Sequence, residues 1–164
     1  ILKDNINNFE AQVANDNSDG QIVISGKTKD LQILSDFLKE KKIKNIKLPV
    51  SAPFHCSLMS KATEVMTKEL QKIDFKQSKN ILISNVTADE ISNIDDLKSL
   101  LISQIEKRVR WRESILNMIN KGVSQFIEIG PGKVLSGLIR RINKNVNFRS
   151  INSVQDIKEL NLNV

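Results

Sequence analysis

The sequence predicts an α/β fold, a core of parallel strands covered by helices, preceded by a smaller α+β unit. Three observations predict it. After Pro53, apolar residues at helical spacing alternate with short runs rich in branched and aromatic residues, the rhythm of strands joined through crossover helices. Before residue 50 the order differs: two strand-like runs, one amphipathic helix and another short apolar run. With 164 residues, 40% hydrophobic and 27% charged, there is enough chain for a genuine core. The two parts divide at about Val50, into 1–50 and 51–164.

In the first part, Glu10 to Ala14 and Gln21 to Ser25 are predicted strands, flanking the turn-rich Asn15-Asp16-Asn17-Ser18-Asp19-Gly20. Thr28 is placed as the cap of the next helix, with Asp30 in its first turn and Leu31, Leu34 and Leu38 as its apolar stripe. A strand from Asn45 to Val50 then delivers the chain to Pro53. This ββαβ run resembles most of a ferredoxin-like split unit.

In the second part, Leu58, Ala62, Val65, Met66, Leu70 and Ile73 mark a helix that Ser57 or Ser60 would cap. Ile81 to Val86 reads as a buried strand, and Asp95 to Glu106 as a helix with Leu97, Leu100, Leu101 and Ile105 inward. A helix from Trp111 to Lys121 and a strand from Gln125 to Ile129 follow. Gly130-Pro131-Gly132 turns the chain into a helix carrying Val134, Leu135, Leu138 and Ile139. Arg140 and Arg141 lie near its C-terminal end, where cations oppose the dipole favourably. Val146 to Ile151 adds a last strand. In such a core, functional groups gather at the carboxyl ends of the strands.

Composition excludes several classes. No apolar run approaches the ~20 residues of a membrane span, so no membrane partner is expected. The net charge is +6, but aromatics are 4%, Tyr is absent and no nucleic-acid-binding signature occurs, so no nucleic-acid partner is expected either. Two basic runs, Lys39 to Lys47 and Lys107 to Arg112, are read as solvated faces or as docking sites for an anionic partner. One Cys and one His provide neither an internal disulfide nor the ligands of a zinc site, so no metal is expected. An intracellular, reducing compartment fits, whether cytoplasm or a plastid or mitochondrial matrix. The chain opens without Met, directly into folded sequence, so an upstream part is expected.

The chemistry centres on His55, the one His, where a strand gives way to a helix just after Pro53-Phe54. The residues alone leave two readings open, a hydrogen-bonded structural residue at a helix start or a general base. Pro53 restricts the loop, and a helix N-terminus beyond it helps keep the ring neutral and able to accept a proton. Cys56 is a rival nucleophile, but side chains of consecutive residues diverge and an activating Cys–His contact is not expected; a small buried Cys fits better. Gly130-Pro131-Gly132 lacks the length and the Lys-Ser/Thr of a phosphate loop and reads as a tight turn.

Pro49-Val50-Ser51-Ala52-Pro53-Phe54-His55-Cys56-Ser57-Leu58-Met59 resembles the histidine motif of the malonyl-CoA:acyl carrier protein transacylases. Asn15-x-Asn17-Ser18-x-Gly20-Gln21-x-Val23-Ile24-x-Gly26, Ser84-Asn85-Val86 and Glu128-Ile129-Gly130-Pro131-Gly132-Lys133-Val134-Leu135-Ser136-Gly137-Leu138-Ile139 are similar to further motifs of that family, in the same order. The resemblance implies the C-terminal part of an α/β-hydrolase-like acyltransferase core, with most of a ferredoxin-like small subdomain at 1–50. It implies ping-pong transfer of malonyl from malonyl-CoA to the pantetheine thiol of acyl carrier protein, in type II fatty acid biosynthesis. His55 would be the proton shuttle, oriented by the backbone carbonyl of Gln104, which lies seven positions before Trp111; without the resemblance Gln104 reads as an exposed helix residue. Glu106 and Asp89 are the carboxylate alternatives. Phe54 would fill the acyl pocket in favour of malonyl, and Lys44 would meet CoA or carrier phosphates. No cofactor is implied, since CoA thioester is substrate and phosphopantetheine belongs to the carrier. The family's Gly-His-Ser-x-Gly nucleophile is not in this chain, so the partners implied include the N-terminal part of the same enzyme, and the chain alone is expected to be inactive. A non-catalytic module that binds an acidic carrier protein is the alternative.

Overall fold

A computed structural model describes residue 6 and residues 9–160. Strands β1 (Ala11–Ser18) and β2 (Gln21–Gly26) form an antiparallel hairpin. Gly20 takes the left-handed φ of 74° that its turn requires. The run Asn15 to Ser18, expected as loop, is strand. Register shifts between Val13 and Asn15 and between Asp16 and Ser18 accommodate it. Asp16 is partnered at both its groups: its N–H donates to Val109 O at 2.9 Å, and its buried carboxylate accepts from Arg112.

Helix α1 (Thr28–Glu40) buries Leu34 and Leu38. Thr28 is its first helical residue, not its cap; Lys27 holds the extended cap position and offers no capping side chain. The strand expected at 45–50 does not form. Among the described residues nothing pairs with it, and the Asn45 side chain ties the segment to α1 through Ser35. The first part is thus observed as ββα.

A 3₁₀ turn (Ser57–Met59) leads into α2 (Ser60–Gln71). Neither Ser57 nor Ser60 caps it, because Cys56 and Met59 occupy the two cap positions. None of the residues of α2 is buried, and Val65 is 63% exposed, so the apolar stripe read from the sequence is there but uncovered. The segment 81–86 is not a strand; Ile83 makes an isolated bridge to Glu90, while Ile81 and Leu82 are exposed. Helix α3 (Ile94–Ser103) begins at Asn93, whose side chain accepts from Asp96 N–H at 2.8 Å.

Helix α4 (Trp111–Asn120), β3 (Gln125–Ile129), α5 (Val134–Ile142) and β4 (Asn147–Ile151) follow, and a short α6 (Val154–Lys158) closes the described chain. Strands β3 and β4 pair in parallel, Gln125 opposite Asn147 through Ile129 opposite Ile151. The core forms where α4 and α5 meet this pair: Ile115, 0% exposed, with Ile139 and Val146, against Trp111, Met118 and Phe126.

Helix α5 lacks a capping side chain of its own at Lys133. Glu128, at the end of β3, replaces it by accepting from the N–H groups of Leu135 at 3.0 Å and Ser136 at 2.8 Å. Partial burial pushes the Glu128 carboxyl upward, but the hydrogen bonds from Ser136, Leu135 and Ser150 outweigh it and hold the pKa below the ordinary 4.5. A folded-state pKa below the unfolded one gives stability that is present above about 4.5 and lost as pH falls through the folded value. Glu128→Gln is expected to lower stability by about 1 kcal/mol at neutral pH, as loss of a helix cap does. Denaturant unfolding at pH 7 and at acid pH checks this: the difference from the parent shrinks in acid.

Candidate active site

The loop that carries His55 is held from both sides by the β1–β2 hairpin. Ser25 Oγ donates to Phe54 O at 2.6 Å, on the residue before His55. On the other side, Ser57 N–H donates to Gln12 Oε1 at 2.9 Å, and Gln12 Nε2 donates to Ser57 Oγ at 3.1 Å. Cys56 Sγ donates to Pro53 O at 3.1 Å and closes the turn. Between these ties His55 has a φ of 59°, a left-handed backbone that costs an ordinary residue about 1–2 kcal/mol. Four hydrogen bonds at roughly 1 kcal/mol each offset that strain and fix where the imidazole points.

The ring meets the C-terminal end of α3. His55 Nδ1 lies 2.8 Å from the backbone oxygen of Gln104, the residue in the C-cap position of that helix. The last carbonyls of a helix have no partner within it, so this oxygen is available to an outside donor. A carbonyl only accepts, so Nδ1 carries the proton and Nε2 keeps its lone pair. Beside the ring lies a cavity of about 260 Å³ lined by Gln12, Val13, His55, Ser57, Glu106, Lys107 and Arg108.

The other candidates fall into place around this pair. Asp89 accepts from Lys121 and Asn117, and the Lys121 ammonium, the Glu90 N–H and Asn117 hold its pKa down at about 2; it serves α4, not His55. Glu106 lines the cavity, while the ring meets the Gln104 oxygen. Cys56 is 1% exposed and buried under the loop. In the second basic run, Arg108 and Arg110 pair with Glu113, and Arg112 pairs with Asp16 and Asp19, so these three cations are engaged within the chain. Lys39 pairs with Asp36; Lys44 is exposed on the 43–50 segment. Phe54 is 49% exposed and does not line the cavity beside His55. Beyond Gly130-Pro131-Gly132, the Leu135 and Ser136 amides are taken by Glu128.

Gln12 and Ser25 were not legible as site residues. They lie 45 and 29 positions from their partners, and nothing in a lone Gln or Ser announces a long-range tie.

Among the described residues no three His, Cys, Asp or Glu side chains converge to hold a metal ion, and no helix is long and apolar enough to cross a membrane. No family model matches the chain. Curated relatives do. The malonyl CoA-acyl carrier protein transacylase of Bacillus subtilis is 42% identical over 93% of this chain, and that of Synechocystis 35% over 93%. The crystal structure of the Clostridium perfringens enzyme of the same name covers 96% of the chain at 41% identity, with a TM-score of 0.89. This chain is a homologue of the malonyl CoA-acyl carrier protein transacylases. It spans about half the length of the relatives it matches, 50% in Bacillus and 52% in Synechocystis. A further neighbour, 30% identical with a TM-score of 0.88, is a malonyl-transacylase in complex with a type II polyketide acyl-carrier protein. These transacylases share the mixed helix and strand content and the parallel sheet described above.

If Gln12 pins the histidine loop, Gln12→Ala raises the rate of hydrogen exchange at the Ser57 amide by about fivefold, the equivalent of losing ~1 kcal/mol. Exchange in the helix α4 core serves as the internal reference and stays unchanged.

Proposed function

We propose that the protein carrying this chain transfers the malonyl group of malonyl-CoA to the pantetheine thiol of acyl carrier protein, supplying extender units for type II fatty acid biosynthesis. The observation that carries the proposal is the 2.8 Å contact from His55 Nδ1 to Gln104 O, which leaves Nε2 of the one histidine in the chain as a base. The reaction is ping-pong. A serine attacks the thioester carbonyl while Nε2 takes its proton, and the imidazolium gives that proton to the departing CoA thiolate. The carrier thiol then enters, loses its proton to Nε2, and takes the malonyl group, after which the serine oxygen recovers the proton. Gln104 O stabilises each imidazolium through Nδ1–H.

The serine lies outside these residues, on the N-terminal part of the same enzyme. In support, the chain spans half the length of its relatives. Among the described residues no further strand joins its parallel pair, and Ile129 is 82% exposed, whereas parallel sheets are covered on both faces. The uncovered stripe of α2 is a second surface for that part. Phe54 borders the acyl pocket once the two parts are joined. Lys44 and its basic neighbours face CoA phosphate or the acidic carrier, through charge steering that salt weakens. The 1–50 unit is the small subdomain and 51–164 belongs to the hydrolase-like one.

In the full-length protein, His55→Ala is expected to lower kcat for malonyl transfer by about 10²–10⁴-fold, while the isolated 164-residue chain gives no turnover. Steady-state assays with malonyl-CoA and carrier protein check both; transfer untouched by His55→Ala sinks the catalytic role. Lys44→Glu is expected to raise KM for carrier protein at low ionic strength, an effect that fades as salt screens it.

A further inference from the structure

Asn85 stands in the Ser84-Asn85-Val86 segment, and nothing in the reaction above uses it. It belongs to a tight loop moored to α4 at several points. Ala88, buried and left-handed with a φ of 59°, donates its N–H to Ser84 O. Arg110 Nη1 donates to Thr87 O at 2.8 Å, and Asn117 Nδ2 to Ala88 O at 2.9 Å. Lys121 pairs with Asp89 and Glu90. The Asn85 backbone oxygen itself accepts from Arg110 N–H at 3.0 Å. From this fixed base the Asn85 side chain reaches across to α3, where Nδ2 donates to Gln104 Oε1 at 3.3 Å.

Gln104 is thereby held at two points with different purposes, its amide by Asn85 and its backbone oxygen by His55. The last turn of a helix frays unless something ties it down, and the carbonyl His55 needs belongs to that turn. We propose that Asn85 is a positioning residue: by anchoring the Gln104 side chain to the α4 loop, it holds the Gln104 carbonyl against Nδ1 and so sets the tautomer of His55. The consequence for malonyl transfer rests on the proposed reaction; the consequence for the tautomer does not.

The test uses the full-length protein labelled with ¹⁵N-histidine, the His55 ring signals being identified by their loss in His55→Gln. In the parent, the neutral ring is held as the Nδ1–H form. Asn85→Leu, which keeps the size and removes the amide, is expected to give a mixture of both tautomers. It should lower kcat about tenfold, a fraction of what a positioned base contributes, with KM for malonyl-CoA unchanged. Asn85→Asp keeps a partner for Gln104, whose amide turns over to donate from Nε2, and restores the Nδ1–H form and kcat. A purely structural role would not separate Asp from Leu in this way. Gln104→Met, which keeps the backbone oxygen but removes the amide, repeats the tautomer change and serves where Asn85→Leu fails to fold. The proposal is overturned if Asn85→Leu and Gln104→Met keep a fixed Nδ1–H ring, or if Asn85→Asp behaves as Asn85→Leu does. Failure of the proposed reaction alone looks different: no malonyl transfer by the parent, with the tautomer change intact.

Discussion

The hydrogen bond from His55 Nδ1 to the backbone oxygen of Gln104 places demands on the chain at both of its ends. At one end a non-glycine residue sits in a left-handed backbone. At the other a helix stops where its terminal carbonyl is still unpaired within the helix. Much of the observed structure answers these two demands. The hairpin side chains of Gln12 and Ser25 secure the histidine loop, and the Asn85 amide reaches the Gln104 side chain. The neighbouring arginines, which as a sequence look like a docking face, are engaged in joining β1 to α4 and in fixing the loop of Asn85.

A backbone carbonyl in place of a carboxylate has a physical consequence. It fixes the imidazole tautomer and orientation, as an aspartate would, without placing a full negative charge beside the ring. The helix end supplies a partial charge. The cost is geometric, because a carbonyl cannot follow the ring by rotating a side chain. It must be delivered by the fold, and that explains the density of long-range hydrogen bonds around residues that themselves do no chemistry.

How much of this was legible in the sequence depended on where each residue finds its partner. The strand 125–129 and the helices of 111–120 and 134–142 follow from local periodicity, and β3 and β4 pair in parallel as helix–strand alternation requires. Segments 45–50 and 81–86 have strand composition, but a strand exists only with a neighbour to bond: among the described residues 45–50 pairs with no strand, and 81–86 has only the bridge from Ile83 to Glu90. Asn15 to Ser18 read as loop because they are polar, and the partner of the Asp16 carboxylate, Arg112, lies 96 positions away. His55 was visible as a lone ionisable group just ahead of a helix. Its partner was not visible from residue pattern, since a main-chain oxygen has no sequence signature; the family resemblance pointed to Gln104, whose oxygen lies 2.8 Å from Nδ1.

On the proposed reading, these residues hold one half of an active site, a base without its nucleophile. Mass spectrometry of the full-length protein quenched after brief exposure to malonyl-CoA, without carrier, tests it most directly. The account predicts a single malonyl ester on a serine outside these 164 residues, absent when His55 is replaced by Ala. A malonyl adduct on Cys56, Ser57 or any other residue of this chain would contradict it.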